Sequence, residues 1–138
     1  EVARRLVAVP RTKEYGILSV AIQLACTPTL LFPVSRNVFF PKPDVRSAVV
    51  RLVFPAKKSS SGSAGAIHLS PPDNEPDPAL VRLLIRTAFN QRRKTLRNSL
   101  KKMFVEANRT VPEHFAGCRA EELDPKDFID LTRYLQVR

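Results

Sequence analysis

The sequence predicts an α/β unit over residues 1–54 and an all-helical unit over residues 77–138, joined by a linker over residues 55–76. Three observations predict this. Apolar residues first recur at helical spacing, then switch to a Val-rich, partly alternating run that ends near residue 54. A polar Ser/Gly/Ala tract and an acidic Pro-rich tract follow, too poor in apolar surface to offset the entropy of ordering. Beyond them, two Asp-Pro pairs each open an amphipathic run, the sequence signature of a capped helix start.

In chain order, Val2, Ala3, Leu6 and Val7 share one helical face with Arg4 and Arg5 opposite, and Pro10 ends that piece. Ile17, Leu18, Ala21, Ile22 and Ala25 repeat the spacing in a second helix. Thr29 to Val34 is a short apolar run among prolines and reads as a strand. SAVVRLVF, from Ser47 to Phe54, is a second strand, and SRNVFFPKPDVR joins the two as a proline-stiffened loop. PAKKSSSGSAGA and PPDNEPDP make the linker, which holds Gly62 and Gly65. In the helical unit Asp77 caps and Pro78 starts a helix whose apolar face is Leu80, Leu83, Leu84, Thr87 and Ala88. A helix from about Arg93 to Phe104 turns Leu96, Leu100, Met103 and Phe104 inward. The last helix has Asp124 as cap, Pro125 first, Asp127 in its first turn, and Phe128, Leu131 and Leu135 on its core face.

Composition narrows the function. The chain has 138 residues, 43% hydrophobic and 26% charged, which is globular rather than disordered. No apolar run approaches the ~18 residues of a membrane span. Cys26, Cys118, His68 and His114 are scattered and match no metal spacing, so no metal site is expected, and two isolated cysteines suit a reducing cytoplasm. No nucleophile elbow and no glycine-rich nucleotide loop occur. The chain opens on Glu1 directly into a helical pattern, and is expected to begin inside a domain. Against these exclusions stands the charge: 23 Lys and Arg to 13 Asp and Glu, a net of +10, which favours polyanionic partners.

That charge is concentrated. AFNQRRKTLRNSLKK, Ala88 to Lys102, carries Arg92, Arg93, Lys94, Arg97, Lys101 and Lys102, and from Pro78 through Val105 there is no Asp or Glu. On one helix Arg93, Arg97 and Lys101 stack at four-residue intervals, with Lys94 one residue round. Like charges so placed repel by a few tenths of a kcal/mol per pair, which an external anion would relieve. A merely basic solvated face is the plainer reading. Asn90, Gln91 and Asn98 flank the stripe, where amides serve equally as base or sugar readers and as caps.

A second feature is VFFPKPDVRS, in which Phe39 and Phe40 precede Pro41 and Pro43. The prolines fix an extended loop that could hold an aromatic out as a platform for a base, worth ~1–3 kcal/mol in stacking. On pattern alone, Phe39 and Phe40 more often plug the local core, and at most one of the two should point inward.

YGILSVAIQLAC, VFFPKPDVRSAVVRLVF, AFNQRRKTLRNSL and RAEELDPKDFIDLTRYL, in this order, resemble the small-subunit rRNA adenine dimethyltransferases of the KsgA type, over most of the chain outside the linker. The related erythromycin-resistance methylases share the first long motif more than the FxQRRKTLRN pattern, which favours the small-subunit type. The resemblance implies a Rossmann-like methyltransferase domain, of which residues 1–54 are the C-terminal remnant, followed by a small helical domain that meets rRNA. It implies transfer of methyl groups from S-adenosylmethionine to N6 of two adjacent adenosines in the 3′-terminal hairpin loop, within the assembling small ribosomal subunit. It implies that Phe39 stacks on the flipped target adenine, with Phe40, Pro41 and Pro43 completing the pocket loop. The family's glycine-rich loop, acidic ribose-binding residue and N-L-P-Y motif are not in this sequence and would lie upstream of Glu1. This chain alone is therefore expected to bind no S-adenosylmethionine and to be inactive, its missing N-terminal half being a partner. The alternative is a non-catalytic RNA- or DNA-binding module acting in ribosome assembly or transcription. A helix-turn-helix DNA binder over residues 77–138 ranks lower, since nothing suggests a dimer.

Overall fold

The computed structural model describes residues 1–56 and 75–137. Most of the expected linker lies outside the described residues. The chain opens with α1 (Val2–Leu6) and α2 (Ile17–Ala25), followed by β1 (Thr27–Val34) and β2 (Ser47–Val53), which pair antiparallel from Thr27↔Val53 to Val34↔Ser47. A bulge falls between Leu30 and Phe32. Pro28 and Pro33 lack an N–H to give, so β1 suits an edge. Leu30, Phe32, Leu52 and Val53 are each at least 40% exposed. A lone hairpin of this kind is marginal, and its apolar surface is the sort that a further layer covers.

The second half runs α3 (Pro78–Asn90), α4 (Leu96–Ser99), α5 (Lys101–Glu106), α6 (Glu113–Ala116) and α7 (Pro125–Gln136), with a 3-10 turn over Ala120–Glu122. Asp77 caps α3, its carboxylate accepting from the Ala79 N–H at 2.9 Å. Asp127 reaches back from the first turn of α7 to accept from the Asp124 N–H at 2.9 Å. Both Asp-Pro starts stand where the sequence places them.

One core joins the two halves. Tyr15 and Val20 pack in the same cluster as Leu84, Ile85, Ala88, Leu96, Leu100, Phe104, Phe128 and Leu131. Phe89 lies edge-on to Tyr15 at 6.2 Å and stacked with Phe128 at 5.8 Å. The Tyr15 hydroxyl donates to the Leu123 carbonyl at 2.7 Å.

Two expectations need correction. The buried face of α3 is Val81, Leu84, Ile85 and Ala88, while Leu83 is 52% exposed and the Thr87 hydroxyl donates to the Leu83 carbonyl at 2.8 Å on the outer side. The face is turned by about one residue, because α7 and α2 pack there. The helix expected from Arg93 starts at Leu96 instead. Thr95 is extended and bridges to Arg119, and the Leu96 N–H donates to the Cys118 carbonyl at 2.8 Å. That pairing holds Gln91 to Thr95 out of the helix.

Candidate nucleic-acid interface

The loop between β1 and β2 is braced by its own polar groups. Ser35 accepts through Oγ from the Asn37 N–H at 3.2 Å, opening a 3-10 turn over Arg36–Val38. The Arg36 guanidinium donates to the Asp44 carbonyl at 3.4 Å and spans the loop base. Phe39 leaves the turn in extended conformation and is 44% exposed, while Phe40 is fully exposed. The core role that pattern alone favours for this pair is therefore not what the fold gives them: neither side chain is in the core cluster. Pro41 is exposed and Pro43 half-buried, and the Phe40–Pro41 peptide is cis.

The six expected cations do not form one ridge. Arg93 and Lys94 sit in the turn after α3, ahead of the helix that was to stack Arg93 over Arg97 and Lys101. Arg97 is on α4, and Lys101 and Lys102 open α5. Five of the six are exposed; Arg92 is half-buried.

Their partners divide them further. Arg92 donates from Nε to the Glu121 carboxylate at 2.7 Å and from Nη2 to the Lys13 carbonyl at 3.3 Å. These contacts span from the α1–α2 segment to the helical half and give Arg92 an internal, structural occupation. Arg97 pairs with Glu113 at 3.3 Å and Lys102 reaches Glu106 at 4.0 Å, both in open solvent where such pairs contribute little. Arg93, Lys94 and Lys101 have no carboxylate within ion-pair distance among the described residues. Asn98 is used locally, donating from its amide to the Thr95 hydroxyl at 3.3 Å, while Asn90 and Gln91 are exposed.

Sequence reasoning missed three residues near these cations. Asn108 adopts the left-handed conformation at φ 55° and ends α5. Its N–H donates to the Val105 carbonyl at 2.9 Å, and the Arg109 N–H donates to the Phe104 carbonyl at 2.7 Å. This paired closure fixes the backbone at Arg109. The Arg109 guanidinium lies 5.5 Å from the centre of the Tyr134 ring on α7. The only advance signal was the Asn at a helix end. No helix among the described residues is long and apolar enough to cross a membrane.

A family model described as "Ribosomal RNA adenine dimethylase" matches residues 1–137. The chain is 46% identical to "Ribosomal RNA small subunit methyltransferase A" of Salinibacter ruber, over 99% of this chain and 42% of that protein. It is 43% identical to the protein of the same name from Chlorobaculum parvum, over 95% of this chain and 42% of the relative. The chain thus spans less than half the length of these relatives. Among solved structures, a dimethyladenosine transferase from Plasmodium falciparum shares the fold, with a TM-score of 0.66 at 22% identity, over 94% of this chain and 51% of that one.

Proposed function

The chain belongs to the ribosomal RNA adenine dimethylase family, and on that premise we propose that it is the C-terminal portion of a small-subunit rRNA adenine-N6,N6-dimethyltransferase. In this reading residues 1–54 close a Rossmann-like methyltransferase domain, residues 77–138 form a helical rRNA-binding domain, and residues 55–76 link them. The exposed apolar hairpin supports it, since the rest of such a domain would supply the layer that a lone two-stranded sheet lacks. The whole enzyme dimethylates two adjacent adenosines in the 3′-terminal hairpin of the small-subunit rRNA, in the cytoplasm and on the assembling subunit.

The observation that carries the RNA-binding role is the set of Arg93, Lys94 and Lys101, exposed cations with no internal carboxylate among the described residues. Each is available to a phosphate oxygen without first losing a partner. Arg97 and Lys102 join them at small cost, because solvent already screens their pairs. Phe39 serves the base. Extruding an adenine loses its stacking within the RNA, and an exposed ring on a braced loop replaces it. Phe40, Pro41 and Pro43 shape the same loop.

S-adenosylmethionine is the methyl donor in this reading. The described glycines do not fit a cradle for it: Gly16 precedes α2 after a turn and Gly117 follows α6, so neither lies in a loop leading from a strand into a helix. No step through the donor is assigned to these residues. The reading is tested by binding the purified chain to a 3′-terminal small-subunit rRNA hairpin and to a DNA duplex of equal length. Arg93→Glu with Arg97→Glu should weaken hairpin binding about tenfold, roughly the scale of two lost phosphate contacts. Unchanged hairpin binding, or equal preference for the DNA, would count against it.

A further inference from the structure

We infer that the groove between α4–α5 and α7 is a second RNA subsite, one that takes an unpaired nucleotide against the Arg109–Tyr134 pair. The inference rests on the RNA-binding reading above and adds a site that the linear charge pattern does not contain. The groove encloses about 560 Å³ and is lined by Arg97, Lys101, Val105, Arg109, Glu113 and Tyr134 among others. Three cations therefore face one carboxylate. That carboxylate, on Glu113, is 93% exposed and meets Arg97 at 3.3 Å, so a phosphate can replace it at little cost.

The groove also offers an aromatic platform. Tyr134 is 44% exposed, and its ring carries the Arg109 guanidinium 5.5 Å from its centre. The left-handed turn at Asn108 fixes the backbone from which Arg109 reaches the ring, with the Arg109 N–H donating to the Phe104 carbonyl at 2.7 Å. An adjoining cavity of about 520 Å³ is lined by Arg109 and Tyr134 as well, so the pair stands as a ridge between two open spaces. Phosphate-binding cations beside a π-surface match the chemistry of single-stranded nucleic acid, in which the backbone is gripped and each base presents a free face. A duplex base has both faces covered by its neighbours and cannot use the platform. The Tyr134 hydroxyl makes no hydrogen bond among the described residues, so removing it should not disturb the placement of the ring.

The test uses the full chain with single-stranded oligoadenylate of about 12 nucleotides and an RNA duplex of the same length. Tyr134→Ala should weaken oligoadenylate binding about tenfold and leave duplex binding unchanged. Arg109→Ala should weaken oligoadenylate binding about tenfold and duplex binding less, since only a phosphate contact is lost there. The two changes should combine to less than their product on oligoadenylate. Tyr134→Phe should bind as wild type. If Tyr134→Ala fails to fold, Arg109→Ala, which removes the guanidinium and leaves the ring, carries the test. Wild-type affinity for oligoadenylate in both alanine variants overturns the subsite; if Arg93→Glu still loses affinity for the rRNA hairpin, the broader reading survives. Equal losses on oligoadenylate and duplex overturn the stacking role. A wild-type chain that binds neither RNA overturns both readings.

Discussion

Arg92 and Glu121 meet at 2.7 Å through Nε, and the Glu121 backbone carbonyl accepts from the Arg11 N–H at the same distance. One residue of the 3-10 turn before α7 thus holds both the turn after α3 and the segment between α1 and α2. Arg92 belongs to the same basic run as Arg93, yet it is spent on the fold. Arg92→Ala should destabilise the chain by about 1 kcal/mol, read as a melting temperature lower by roughly 4 °C. A double-mutant cycle with Glu121→Ala should return most of that loss as coupling. Additive losses would show that the contact does not join the halves.

Phe39 separates stability from chemistry. Its ring is 44% exposed and outside the core cluster, so Phe39→Ala should leave the melting temperature of the chain nearly unchanged. In the full-length enzyme the same change should slow methylation more than it weakens rRNA binding. A collapse in stability would mean that the ring packs against protein, and an effect confined to affinity would remove it from the base pocket.

Tyr15 gives the fold an alkaline limit. Burial raises its phenol pKa well above the ordinary 10.0, and the charges of Asp124 and Asp127 push the same way. The neutral phenol donates to the Leu123 carbonyl. Because the folded pKa is the higher one, this stability is fully present below pH 10.0 and declines as pH rises above it toward the folded value. Urea midpoints at neutral pH and at about pH 11 should fall more steeply for wild type than for Tyr15→Phe. Parallel declines would place the alkaline sensitivity elsewhere.

The elements legible in the sequence were those set by neighbours in the chain. The Asp77-Pro78 and Asp124-Pro125 starts are local chemistry and stand as expected. So does β2, whose Val-rich run needs no distant information. What failed depends on contacts far along the chain. Thr95 leaves the helix because it bridges to Arg119, which periodicity cannot see. Arg92 is withdrawn from the cationic set by a carboxylate 29 residues away. The Arg109–Tyr134 platform requires the end of α5 to fold onto α7, and neither residue stands out in its own stretch of sequence. The exposure of Phe39 was legible through family resemblance rather than through pattern, which favoured a core role.

In the proposed reading, exposed cations around the turn after α3 grip ribose-phosphate, and the salt dependence of binding reports how many phosphates they reach. The dissociation constant of the chain for a 3′-terminal rRNA hairpin should rise linearly with salt on logarithmic axes. Replacing Arg93 and Lys94 together by Ala should flatten that slope by about 1.5, close to the loss of two phosphate contacts at roughly 0.7–0.9 each. A slope equal to that of wild type, with affinity retained across the salt range, would contradict the claim.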